Sequence, residues 1–294
     1  APNPPRGARV RYYLREAAVR EAAGEHAVLD NRDDTDDSIG TDDGDAESDG
    51  GDHGEDGFAL TIVDASGDHV RTLEAPGSAG IHEVIWDWRY DRPYEPVAGQ
   101  GGGGRRGGTP QGPIVLPGTY TVSMEVDGQA YSATVEIIAE PRRAMTRADR
   151  MARQDALMSL YTLAAPIYEA TQAARRMGER LDAAEELIEA AEGEHENLTE
   201  EITAIREELD EVEEELELAR DNAGVAGAIQ GSSTLPTADQ LWQVDRAWEV
   251  LPPAVDRLNV IVLTRMPALS AMLNAEGVRP GLGEAIEVPG RRGG

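Results

Sequence analysis

The side chains that carry most protein chemistry are scarce or poorly spaced in this chain. It contains no cysteine, which rules out thiol nucleophiles, disulfides and zinc–thiolate sites. Its five histidines are His26, His53, His69, His82 and His195, and no two stand at metal-ligand spacing. No serine sits in a nucleophile elbow, and no Ser/His/Asp constellation is visible. Carboxylates abound, yet nothing in their order sets two of them across a cleft, so a glycosidase pair cannot be assigned. The expectation is no catalytic, cofactor-binding or metal-ligating residue, and no cofactor.

Four weaker patterns remain. Asp45, Glu47, Asp49, Gly50 and Asp56 fall on positions 1, 3, 5, 6 and 12 of a calcium-binding EF-hand loop. Position 12 is Asp rather than a bidentate Glu and no helices flank the run, so a solvated acidic loop is the simpler reading. Trp86, Trp88 and Tyr90 alternate along a strand-like run and offer a stacking platform for a sugar; three aromatics on one strand face are more often core. Gly102, Gly104 and Gly107 have dinucleotide-fingerprint spacing but no strand-to-helix unit around them, so the match carries no weight. Arg105-Arg106-Gly107-Gly108 and Arg291-Arg292-Gly293-Gly294 look like RNA-binding repeats. Two isolated copies in a chain of net charge −29 are a very weak sign.

That charge is localised. The 294 residues include 56 acids and 27 basic residues, all of the latter Arg. Asp30 to Gly57 holds 13 acids and one Arg, Gly178 to Arg220 holds 18 acids and three Arg, and together they account for −27 of the −29. Both segments repel nucleic acid and anionic membrane, so no nucleic-acid partner is expected. An Arg-only acidic composition suggests a salt-adapted, halophilic source, although a general adaptation would acidify every surface. The uncharged run Ala156 to Tyr168, 13 residues, is too short for a ~30 Å hydrocarbon core, and no membrane insertion is expected. Ala1 to Arg11 has no apolar signal core, and a chain opening on Ala1 is expected to be processed or cut from a longer one.

The elements that must position any site fall into two groups, as the length suggests at roughly 150 residues per domain. Val10–Leu14, Phe58–Val63, His69–Leu73, Ile81–Tyr90, Tyr120–Val126 and Tyr131–Ile137 read as strands, with Ala65-Ser66-Gly67-Asp68 and Asp127-Gly128 as turns. About seven short strands predict an antiparallel sandwich of immunoglobulin or fibronectin-III type. Asp30–Gly57 reads as a disordered acidic insertion between two strands, having almost no apolar residue to bury.

After Pro141 the apolar period lengthens to about 3.5. Thr146 with Asp149 and Thr237 with Gln240 mark helix starts. An apolar seam runs from Met177 and Leu181 through Leu198, Ile202 and Leu209 to Leu216 and Ala219, with His195 in register. It fits either one very long helix paired with a partner chain or a hairpin turning near Gly193 to Asn197. The hairpin is favoured because a lone helix has nothing to bury its stripe against. The last helix keeps a seam of Leu241, Val244, Trp248, Leu251, Val255, Leu258, Val262, Arg265, Leu269 and Met272, with Pro252, Pro253 and Pro267 expected to kink or break it. The expected fold is α+β and multidomain: a β-sandwich over 1–141, an antiparallel three-helix bundle over 142–276 and a flexible tail over 277–294.

Several segments together resemble a known family. They are Val10–Leu14, Leu60-Thr61-Ile62-Val63-Asp64 with Gly67, Trp86-Asp87-Trp88-Arg89-Tyr90, Gly112-Pro113, Leu116-Pro117-Gly118-Thr119-Tyr120-Thr121-Val122, Asp127-Gly128, Pro141-Arg142 leading into Ala148-Asp149, and the helix Pro236–Asn274. The succession resembles the C-terminal region of sortilin-like or sialidase-type (BNR-repeat) β-propeller proteins labelled glycosyl hydrolases, in which an immunoglobulin-like domain and a helical segment follow the propeller. Neither a propeller repeat nor an aspartate box occurs in this chain, so no catalytic residue carries over. The resemblance implies a non-catalytic accessory region that joins an upstream β-propeller or self-associates through its helices, in an extracellular or cell-surface setting. The alternatives are a glycoside hydrolase fragment and a carbohydrate-binding module using Trp86 and Trp88.

If the acidic insertion is structurally idle, replacing Asp30–Gly57 with a short turn should leave the melting temperature nearly unchanged, because loop-closure entropy varies slowly with length. Loss of cooperative unfolding in that deletion would show the segment to be structural.

Overall fold

The computed structural model describes residues 7–18, 57–97, 110–141, 145–191 and 193–278. The calls on the acidic insertion, the calcium-like loop, the Gly/Arg segments, His26, His53 and the tail beyond 278 lie outside the described residues. The chain is of mixed α and β structure, with antiparallel sheets and long helices. It divides into two compact units, Ala1–Asp91 with Ile114–Arg143, and Arg92–Pro113 with Ala144–Gly294. The segment after Asp91 thus belongs with the helices: Tyr94 stacks on Tyr168 with centroids 4.1 Å apart, and the Tyr168 hydroxyl accepts from the Val97 amide at 2.9 Å.

The first unit holds β1 (Ala8–Leu14), β2 (Gly57–Val63), β3 (His69–Pro76), β4 (Gly80–Trp86), β5 (Gly118–Val126) and β6 (Gln129–Ile137). β1 pairs with β4 in one sheet, and the other runs β3-β2-β5-β6, every pairing antiparallel. Asp127 and Gly128 both take positive φ, 51° and 71°, the type I′ geometry that matches the twist of β5 and β6. Between β2 and β3 the Asp64 carboxylate accepts from the amides of Ser66 and Asp68, and Gly67 supplies φ 88°. Alternate side chains of both sheets enter one buried cluster that includes Leu60, Ile62, Val70, Trp86, Tyr120 and Val122.

The run Ile81–Tyr90 departs from a single strand. β4 stops at Trp86 because Trp88 adopts φ 63°, and the chain turns there. The Trp86 indole donates to the Arg89 carbonyl at 2.9 Å, closing that turn.

In the second unit α1 (Arg147–Ala190) and α2 (Glu196–Ala223) are followed by the short α3 (Ala226–Gly231), then α4 (Ala238–Val260), a π-helical turn Ile261–Arg265, and α5 (Met266–Ala275). Capping boxes Thr146/Asp149 and Thr237/Gln240 start α1 and α4, as the sequence predicts. Of the two readings of the long seam the hairpin is found: α1 ends at Ala190, Gly193 takes φ 129°, and α2 begins at Glu196. Arg206 of α2 reaches back to Asp182 and Glu185 of α1, at 2.9 and 3.0 Å, so the two helices run antiparallel.

The last helix differs from expectation in two ways. Its buried seam is Val244, Ala247, Leu251, Ala254, Leu258 and Ile261, whereas Leu241 and Trp248 are exposed. The expected seam follows the larger side chains; the actual one passes through two alanines, which let α4 approach closely. Secondly, helix assignment continues through Pro252 and Pro253 and breaks only before Pro267. Pro267 has no amide to bond the Leu263 carbonyl, and the widened turn with Met266 N–H donating to Ile261 C=O accommodates that loss. α5 closes with Gly277 at φ 75° and the Val278 amide on the Leu273 carbonyl, a Schellman-type stop. Val278 itself is buried in the helical core, so the packed unit extends into the expected tail.

Two expected outcomes follow from the packing. Ala254→Leu should destabilise by about 1–3 kcal/mol through overpacking, while Leu241→Ala should cost far less, both read from urea unfolding. Burial raises the Tyr12 and Tyr120 phenols from 10.0 to about 12. Folding therefore favours their protonated forms; that stability is whole below the unfolded value and is lost as pH climbs through about 12. An alkaline titration followed by Trp86 fluorescence should show the strand unit weakening over that window, and less so in Tyr120→Phe.

Candidate functional site

The three histidines within the described residues each have a local partner. The His69 ring meets Asp91 at 2.7 Å, that of His82 meets the Ser78 carbonyl at 2.7 Å, and that of His195 meets Glu276 at 2.7 Å. These are three separate places, and among the described residues no group of three His, Asp or Glu is placed to hold a metal ion. Trp86 is 0% exposed and packs edge-on against Tyr120, with centroids 5.2 Å apart. Trp88 and Tyr90 are partly buried against the same core. The structure gathers the three aromatics into the interior of the strand unit, where Trp86 presents no face to solvent.

The distinctive surface lies on the helices. α2 contains 12 acids and two Arg within 28 residues. Its apolar stripe, Leu198 to Ala219, is buried against α1 and α4, so its carboxylates project from the remaining faces. Two arginines of the following helical run reach across to them. Arg257 meets Glu211 at 3.0 Å and Glu215 at 2.9 Å. Arg265 meets Glu201 at 3.1 Å and is also paired with Glu208. Higher numbers on α4 meet lower numbers on α2, so this pair is antiparallel as well. Carboxylate crowding persists elsewhere on α2: partial burial and the neighbouring Asp210 charge push the Glu213 carboxyl above its usual range.

Beside this charged contact the surface turns apolar. Leu218 on α2 is 40% exposed, Val260 54% and Leu263 73%. Between Arg257 and Glu276 the only charged residue is Arg265. The continuous helical run Ala238–Ala275 is, by length and composition alone, apolar enough to cross a membrane. Two shallow hollows open between α2 and α4. One, about 340 Å³, is lined by Glu211, Glu214, Glu215, Leu218 and Arg257, and the other, about 210 Å³, by Glu208, Val212, Arg257, Val260 and Ile261.

Sequence reasoning did not single out Leu218, Val260 or Leu263. The available signal was that Val260 and Leu263 are apolar yet fall off both the expected and the actual seam, which leaves them exposed among the described residues.

The ion pairs across α2 and α4 should be sensitive to salt. Arg265→Gln should cost about 1 kcal/mol in dilute buffer, measured by urea unfolding, and less in molar salt, since screening weakens the pair it removes. An equal cost at both salt levels would assign Arg265 a packing role instead. Comparison with protein-family models, curated proteins and solved structures finds no match to this chain.

Proposed function

We propose that this chain is a non-catalytic accessory and interaction region: an immunoglobulin-like β-sandwich followed by an antiparallel three-helix bundle whose exposed side docks a partner. The observation that carries the reading is the apolar surface left on the helices at Leu218, Val260 and Leu263, which are 40%, 54% and 73% exposed. Apolar surface of that kind, left open in a strongly charged protein, marks interaction sites. The partner suggested by the family resemblance is a β-propeller.

Support for the sandwich type comes from Tyr120. Its hydroxyl donates to the Leu116 carbonyl four residues upstream at 2.6 Å, at the entry to β5. A tyrosine at a strand start bonding back to the preceding corner is a recurrent device of immunoglobulin-like sandwiches. Two antiparallel sheets contributing to one buried cluster fit the same architecture. For the bundle, α2 shares a buried core with both α1 and α4. The carbohydrate-binding alternative draws less support, because Trp86 lies wholly inside the strand unit.

The test is direct. The purified chain should turn over no member of an aryl-glycoside panel, and a β-propeller encoded upstream in the same reading frame, produced separately, should co-elute with it. Glycoside turnover at constant specific activity through successive purification steps would overturn the accessory reading.

A further inference from the structure

We infer that the groove between α2 and α4 receives an amphipathic helix of a partner protein, with an apolar stripe flanked by Lys or Arg. The inference rests on the interaction role proposed above and specifies the chemistry of what docks.

The exposed apolar lining of the groove is Leu218 and Val260; Val212 and Ile261 also border it but are buried, and the two hollows share Arg257. Along α2 the lining runs from Glu208 to Leu218, ten residues of helix or about 15 Å, the length of roughly three helical turns. Both walls are helices whose backbone amides and carbonyls are internally bonded, so an extended strand would find no ladder to join. Recognition must run through side chains, as when a helix lays its i, i+3, i+4 and i+7 residues into a groove.

Charge selects the kind of helix. The α2 wall carries Glu208, Glu211, Glu214 and Glu215. Arg257 pairs with Glu211 and Glu215 and Arg265 with Glu208, which leaves Glu214 outside these pairs, and α2 with both arginines still sums to −8. The opposite wall, beyond Arg257, has no acidic residue before Glu276. A helix with cations along one edge of its stripe would therefore meet the surplus carboxylates on the α2 side, with its uncharged edge along the wall whose charges between 257 and 275 are Arg257 and Arg265. A second copy of this chain would bring another acidic α2, and like charges across an interface are costly.

The experiment uses the intact chain and two synthetic helical peptides with the same leucine stripe, one flanked by Lys and Arg, the other by Glu. Affinities are measured by titration calorimetry in dilute buffer and in molar salt, for the unaltered chain and for Val260→Asp and Glu214→Gln, each checked for folding by circular dichroism. Both altered side chains are exposed, and native circular dichroism is expected of both variants. The basic peptide should bind at least about tenfold tighter than the acidic one and weaken by a similar factor in molar salt. Val260→Asp should abolish binding, and Glu214→Gln should reduce it and flatten the salt response.

Equal affinity for both peptides, binding indifferent to Val260→Asp, or no binding of the basic peptide would each overturn the proposal. Light scattering supplies a separate arm. A dimer that Val260→Asp dissociates would make a second copy the occupant, overturning the basic-helix partner while leaving the interaction role intact. Failure of the interaction role shows instead as glycoside turnover, which no peptide result can mimic.

Discussion

The helical unit depends on removing one stripe of α2 from water. Leu198, Ile202, Ile205, Leu209, Val212 and Leu216 are each at most 2% exposed, and α1 and α4 supply what covers them. Full burial of such side chains is worth about 1.5–3 kcal/mol each before entropy and unfolded-state compactness are subtracted. Opposing this are the like charges on the rest of α2, where each unfavourable i,i+4 pair costs only a few tenths of a kcal/mol. Burial outweighs repulsion by magnitude, which is how so acidic a helix can be central to its unit. The repulsion still acts: within α2 Arg220 pairs with Glu217, and the other cations that meet its carboxylates across the contact come from the helices that follow.

Close approach makes that neutralisation available. Ala219 on α2 and Ala247 and Ala254 on α4 are all 0% exposed. Small residues at a helix contact shorten the interaxial distance, and long side chains beside the seam then reach the opposite surface. Arg257 and Arg265 do so, each spanning two glutamates of α2. Exposed pairs of this sort contribute little to stability on their own. Their larger effect is geometric, fixing the rotation of α4 so that Val260 and Leu263 point outward. The π turn at Ile261–Arg265 contributes too, since an extra residue in the turn shifts the phase between the seam before it and Leu269 after it.

The strand half was legible because its signals are local. An Asp-Gly turn, an Asx turn at Asp64 and alternation across Tyr120–Val126 require no knowledge of partners, and each element lies where expected. Trp88 was misplaced because a left-handed tryptophan is set by the surrounding fold, not by its propensity. In the helices the capping boxes and the hairpin were readable, since Gly193 and the interrupted stripe are sequence facts. The phase of α4 is not legible in the 4-3 spacing of its residues. In a tightly packed helix pair the space available decides, and Ala247 is inside while Trp248, bonded to Ser159 at 2.7 Å, is 42% exposed. The groove is hidden from the sequence for the same reason: packing across the helix contact leaves Val260 and Leu263 outside, while Val244, Leu251, Leu258 and Leu269 are common to the expected and the actual seam.

The placement of charge says more about this chain than its sum. Read as a sum, −29 speaks of solubility and of repelled anions. Read by position, α2 carries a net −10 while the run from Asn259 to Ala275 carries a single Arg. If solubility were the only demand, the exposed positions at 260 and 263 would be the simplest places to add a carboxylate, as at Glu207 or Glu214 nearby. Instead they hold Val and Leu, directly beside carboxylates that outnumber the arginines facing them. An apolar strip bordered on one side by acid that two arginines only partly compensate is poorly matched to water and poorly matched to its own likeness. Its physical complement is an apolar strip bordered by base.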